Sequence, residues 1–117
     1  MRAPYEIFLT NQPMNTSFTS EPFLVWQLAI FSIQITWSGN AYGVLSLEYS
    51  SDPNSGDAYP ENWTVDPASL VTLNGDGSWL WNFPNPGFFW VRLVYVDTSG
   101  GTASAVITAA TFTGKGA

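Results

Sequence analysis

Cysteine and histidine are both missing from this 117-residue chain, and cations are scarce. Without cysteine there is no disulfide framework, no thiolate nucleophile and no zinc–sulfur site. Without histidine the Ser-His-Asp and Cys-His arrangements of nucleophilic catalysis are excluded, and so is imidazole ligation of a metal. Arg2, Arg92 and Lys115 stand against nine carboxylates, for a net charge of −6. That leaves no basic stripe of the kind that tracks a phosphate backbone, so nucleic acid is not an expected partner.

Long apolar runs are also lacking. Residues 22–47 carry no charge, but Gln27, Ser32, Gln34, Thr36, Ser38 and Asn40 interrupt them. The uninterrupted runs fall well short of the roughly 18 apolar residues of a spanning helix, so no membrane partner is expected. The opening "MRAPYEIFLT" has one arginine, and Glu6 breaks its apolar stretch early. It does not read as a signal peptide, and the chain is expected to be made in the cytoplasm and left unprocessed. "NTS" at 15–17 and "NWT" at 62–64 match the glycosylation acceptor pattern, but without a secretory signal they read as incidental.

What is present is apolar and alternating. With 45% hydrophobic and 10% charged residues the chain lies far from disordered composition, and its length suits one core. Phe31, Ile33, Ile35 and Trp37 alternate with Ser32, Gln34, Thr36 and Ser38; Leu45, Leu47 and Tyr49 alternate with Ser46, Glu48 and Ser50. This is the period of a strand with one face on a core. Turn clusters at Gly39-Asn40, 74–77, 84–87 and 99–101 separate strand-like runs. "LVTLNGDGSWLWNF" reads as a hairpin, Val71 and Leu73 before the turn and Trp79, Trp81 and Phe83 after it. About eight strands with such turns predict an all-β fold, an antiparallel, jelly-roll-like sandwich in a single domain. Residues 1–22 form an arm or first strands packed on the same domain, and residues 23–117 its core.

Carboxylates are the remaining chemical resource. Asp52, Asn54, Asp57, Glu61 and Asp66 cluster in the loop "SDPNSGDAYPENWTVD". The calcium-loop pattern fails there: Pro53 intrudes, a ligand position is empty and no glutamate follows at bidentate distance. A glycosidase pair would also need a cleft. The loop therefore reads as a solvated connection, with no metal, cofactor or catalytic residue expected. Trp63 near its end is expected to fold back over the core.

Six tryptophans are a second resource. Exposed rings can stack on sugars or anchor interfaces, and Trp63, Trp79 and Trp81 are the candidates for a glycan platform. The bland alternative is that Trp37 and one face of "SWLWNF" fill the space between sheets.

"FSIQITWSG", "GVLSLEYSSD", "ENWT", "NGDGSWLWN", "GFFWVRLVYVDTSGG" and the final "TGKG" together resemble a pattern in small bacteriophage virion proteins of the decoration or fibre type, over roughly residues 31–116. More weakly they resemble sugar-binding sandwich domains. The first resemblance implies a non-enzymatic virion subunit, working as a homo-oligomer alongside other virion proteins. Sequence pattern adds a candidate interface. In "FFWVRLVYV" both faces are apolar apart from Arg92, which must pair with a carboxylate such as Glu48 or meet a neighbouring subunit. Phe23, Trp26, Trp90, Arg92 and Val94 are the expected subunit contacts, in a closed assembly for which a trimer is favoured.

Overall fold

The computed structural model describes residues 5–52 and 60–116. Asn54 and Asp57 of the acidic loop lie outside the described residues, as does Arg2. Among these residues nine strands are present: β1 (Tyr5–Leu9), β2 (Gln12–Pro13), β3 (Phe18–Thr19), β4 (Phe23–Leu24), β5 (Leu28–Ser50), β6 (Thr64–Val65), β7 (Val71–Pro84), β8 (Trp90–Asp97) and β9 (Val106–Gly116). A single 3-10 turn, Pro67–Ser69, is the sole helical element among the described residues. Every pairing is antiparallel.

The sheet folds over on itself into two layers, as the expected sandwich requires. In the first layer β1 and β2 flank β9, which pairs with Leu28–Ser38 of β5. In the second, β3 and β4 flank β8, which pairs with Gly43–Ser50 of the same β5. β7 runs along the other side of β5 through both layers, from Leu45↔Val71 to Ile30↔Pro84. The inward set follows the expected parity: Phe31, Ile33, Ile35 and Trp37 from one layer meet Leu45, Leu47, Val91, Leu93 and Tyr95 from the other. Phe23 of β4 stacks on Phe112 of β9 at 4.5 Å and Tyr49 meets Phe83 edge-on at 5.5 Å, so aromatic pairs tie the layers together. Phe23 and Phe112, both buried, contribute about 1.5–3 kcal/mol each.

Two expected turns are bends instead. Gly39-Asn40 does not reverse the chain: β5 continues through it, with Gly39 at φ +89°. "NGDG" likewise bends β7 at Gly75 (φ +109°) and Gly77 (φ +151°) without closing a hairpin. The bends lie side by side, since the β5–β7 register shifts between Trp37↔Gly77 and Ala41↔Gly75. The Trp37 indole N–H donates to the Gly75 carbonyl at 3.0 Å, and the Asn40 carbonyl accepts from Ser104 and Ala105. A positive φ serves a corner as well as a turn; the neighbouring strand, which follows the same corner, determines the outcome.

The amino-terminal segment is part of both layers, because β1 and β2 pair with β9 while β3 pairs with β8. Met14 is fully buried, and its carbonyl accepts from the Tyr95 hydroxyl at 2.8 Å.

Candidate functional site

The outward face of the second layer departs most from a solvated sandwich. β5 and β8 lay four pairs across it: Val44↔Val96, Ser46↔Val94, Glu48↔Arg92 and Ser50↔Trp90. Their neighbours Leu45, Leu47, Val91, Leu93 and Tyr95 point inward.

Glu48 and Arg92 are directly opposed, and Arg92 Nε donates to Glu48 Oε1 at 2.7 Å. The guanidinium carbon also lies 4.2 Å from the centre of the Trp63 ring. Three elements make this arrangement. The strands place the ion pair, β6 pairs with Glu48 and Tyr49, and Trp63 immediately before β6 is brought over the arginine. The Trp63 indole N–H donates to the Pro60 carbonyl at 3.1 Å, which fixes the ring. Arginine over tryptophan is a favourable cation–π contact. Arg92 thus has the carboxylate expected for it, whereas Trp63 folds back over the outward face and not over the core as expected, because the β6 pairing brings it above Arg92.

The 3-10 turn seals the β5 edge between β6 and β7. Asp66 caps it, Oδ1 accepting from the Ala68 N–H at 3.0 Å, with Pro67 at the first position. Ser69 Oγ accepts from the Leu47 N–H at 2.8 Å, and the Leu47 carbonyl accepts from the Asp66 N–H. Strand-edge groups that no strand reaches are satisfied by this turn. Asp66 Oδ2 accepts from the Tyr49 hydroxyl at 2.8 Å; burial first, then that hydrogen bond and the aspartate charge, push the phenol well above its ordinary pKa. An aspartate before proline is a cap signal that would have found this turn in the sequence.

The acidic loop behaves as a connection at its described positions. Asp52 accepts from the Glu61 and Asn62 backbone N–H groups at 2.7 and 2.9 Å and from the Asn62 side chain at 3.1 Å. These donors, Asn62 first, hold its carboxyl below the usual carboxylate range. Among the described residues no group of three or more metal-ligating side chains comes together. A cavity of about 380 Å³ lies beside this staple, lined by Tyr49, Ser50, Ser51, Asp52, Asn62, Thr64 and Phe88.

Several expected interface residues are placed differently. Phe23 is in the core, stacked on Phe112. Trp90, expected as a subunit contact, is buried within its own chain at 8% exposure. Its indole N–H meets no acceptor among the described residues. Trp26 is 49% exposed and stacks on Phe89 at 5.2 Å, beside a cleft of about 190 Å³ lined also by Pro86, Gly87 and Phe88. Val94 is half-buried, while its neighbour Val96 is 48% exposed.

The three platform tryptophans do not share a face. Trp63 covers the outward face of the second layer. Trp79 and Trp81 pair with Ile35 and Ile33 and have inward parity in the first layer. Trp81 is half-buried, with its N–H on the Ser69 carbonyl at 3.0 Å. Only Trp79, at the rim, is exposed.

No protein-family model matches this chain, and no curated protein matches it. Among solved structures it is similar to the SPBc2 prophage-derived protein YomS, with 12% identity, 97% of this chain and 94% of that chain covered, and a TM-score of 0.57. It is also similar to chitosan-binding module 1 from a chitosanase/glucanase of Paenibacillus sp. IK-5, with 15% identity, 98% and 94% coverage and a TM-score of 0.46. A third likeness, to the K3 cleaved adhesin domain of Lys-gingipain from Porphyromonas gingivalis W83, has 9% identity, 83% and 63% coverage and a TM-score of 0.43. The chain shares its fold with the prophage-derived protein over nearly the whole length of both.

Proposed function

We propose that this chain is a non-enzymatic bacteriophage virion structural protein that works through homo-oligomeric assembly. The observation that carries the reading is the whole-length fold likeness to a prophage-derived protein, joined to the sequence resemblance described above. The second layer's outward face supports it. Val44, Val94 and Val96 form an apolar ladder there, and the one ion pair beside them is already neutralised and capped by Trp63. Such a surface suits a protein contact better than water. The described carboxylates Asp52 and Asp66 are engaged in holding loops, which favours a structural role over acid–base chemistry. A closed ring, with a trimer as its expected order, places this face against a copy of the chain or another virion protein. Mass spectrometry of purified particles from a lysogen carrying the gene tests the proposal: the chain is expected at stoichiometric abundance, and its absence from particles overturns the reading.

A second reading, a carbohydrate-binding module, is favoured by the exposed rings of Trp26 and Trp79. Glycan-array binding that is lost in Trp79→Ala would establish it in place of assembly.

A further inference from the structure

We propose that the outer edge of β7 pairs with the same edge of a second copy, antiparallel about a two-fold axis at Leu80. Among the described residues the edges of the sheet are treated differently. β1 is short, carries Glu6 and is broken by an irregularity between Ile7 and Leu9. The β3–β4 edge consists of two strands of two residues each, separated by a segment that contains Glu21 and Pro22. Shortness, charge, proline and bulges are the devices by which edges avoid pairing with other chains. β7 has none of them between Gly77 and Asn82. It is 14 residues long, pairs only with β5, and among the described residues no backbone group bonds to its far side.

The occupant follows from charge and from sequence order. Copies of a chain with net charge −6 repel wherever carboxylates meet, yet residues 77–84 carry no charge. About Leu80 the order is self-complementary: Leu80 opposes Leu80, Trp79 opposes Trp81 and Ser78 opposes Asn82 of the second copy. Leu80 is 55% exposed and Trp79 42%, so both have surface to bury in such a contact. Asp76 is left opposite Pro84, where proline ends the ladder, so the two aspartates do not face each other. An isologous contact of this kind closes on itself. The pairing is independent of the valine face and of any virion role.

Light scattering of the full chain at high micromolar concentration, with circular dichroism as a folding check, tests it. The wild type is expected to contain an even number of chains. Leu80→Lys, which sets two ammonium groups opposite each other, is expected to halve the mass, while Gln34→Lys beside it on β5 leaves the mass unchanged. Because the chain has no cysteine, Leu80→Cys should oxidise to a covalent dimer and Ile7→Cys, on the opposite edge, should not. A monomeric wild type overturns the pairing, as does a mass that survives Leu80→Lys. A wild-type trimer dispersed by Val94→Lys but not by Leu80→Lys would overturn it while leaving the proposed assembly intact.

Discussion

β5 is one strand with two different outward faces. From Ser32 to Ser38 it turns Ser32, Gln34, Thr36 and Ser38 to solvent, flanked by Thr111 and Thr113 of β9 and by Ser78, Leu80 and Asn82 of β7. From Val44 to Ser50 the outward residues are Val44, Ser46, Glu48 and Ser50, set against Val96, Val94, Arg92 and Trp90. Ser46 and Ser50, small polar residues on that outward side, are nevertheless buried, whereas Gln34 and Thr36 are exposed. The inward faces are equally apolar in both halves, so the fold requires nothing of this asymmetry. The first half is built to meet water, and the second is built to be covered: in part by Trp63, and in the proposed assembly by another subunit.

The largest effect that would sharpen this contrast is expected at Gly43, where β5 enters the second layer. A β-carbon there would lie 2.4 Å from the Val96 carbonyl oxygen and 2.7 Å from the Tyr95 ring, which is itself fully buried. Neither neighbour has room to retreat. Gly43→Ala is expected to cost about 3 kcal/mol, the upper part of the range for overpacking, measured as a lower urea midpoint at unchanged slope. An Ala substitution at Thr36, in the first half, is expected to change stability by less than about 0.5 kcal/mol. Equal losses at the two sites would erase the distinction.

The ion pair comes next. Arg92→Ala leaves the Glu48 carboxylate without its partner and the Trp63 ring without its cation. The two side chains retain 28% and 22% of their exposure, so the loss is expected at about 1–2 kcal/mol, below that of a fully buried pair. Replacing both residues, as Glu48→Leu with Arg92→Met, is expected to recover most of that loss, because no charge is then stranded. The double-mutant cycle measures the coupling directly. Failure of the double variant to recover would mean that the pair does more than neutralise itself on an otherwise apolar face.

The same contrast explains what could be read from the sequence. Strand parity was legible throughout, because alternation at Phe31–Trp37, Leu45–Tyr49 and Val91–Tyr95 reports burial directly. Arg92 was legible as a charge that needed a partner, and Glu48 supplies it. The corners were not legible. Gly39 and the Asn74–Gly77 segment carry turn chemistry, and only the matched bend in the adjacent strand makes them corners. Trp90 was placed correctly on the outward side, but period-two reasoning has no access to what covers a face. Its burial within the chain comes with strand partners, Leu24 of β4 and Ser50 of β5, that no local pattern encodes. The separation of the platform tryptophans has a related cause: parity places Trp79 and Trp81 together, but only the β6 pairing carries Trp63 over the other layer.

The smallest expected effect is a pH dependence carried by the second half. Tyr49 and Tyr95 both have pKa values above the ordinary phenol value, in each case chiefly because burial disfavours the charged form. A group whose pKa is raised on folding contributes stability that is complete below its unfolded value and is lost as pH climbs toward the folded one. The loss therefore begins above about pH 10, the ordinary value for tyrosine. Asp52 and Asp97 act at the other end. Their carboxyls are lowered by N–H and O–H donors, from Asn62 in one case and Ser99 in the other, so their contribution is present above about pH 4 and fades as pH falls. Tyr49→Phe is expected to lower stability at neutral pH, since Asp66 loses a donor. It should also flatten the alkaline arm of the melting-temperature profile, leaving the part due to Tyr95. An alkaline arm that stays as steep in Tyr49→Phe would show that the Tyr49–Asp66 contact does not hold the phenol protonated, and that the turn sealing β5 is looser than its hydrogen bonds imply.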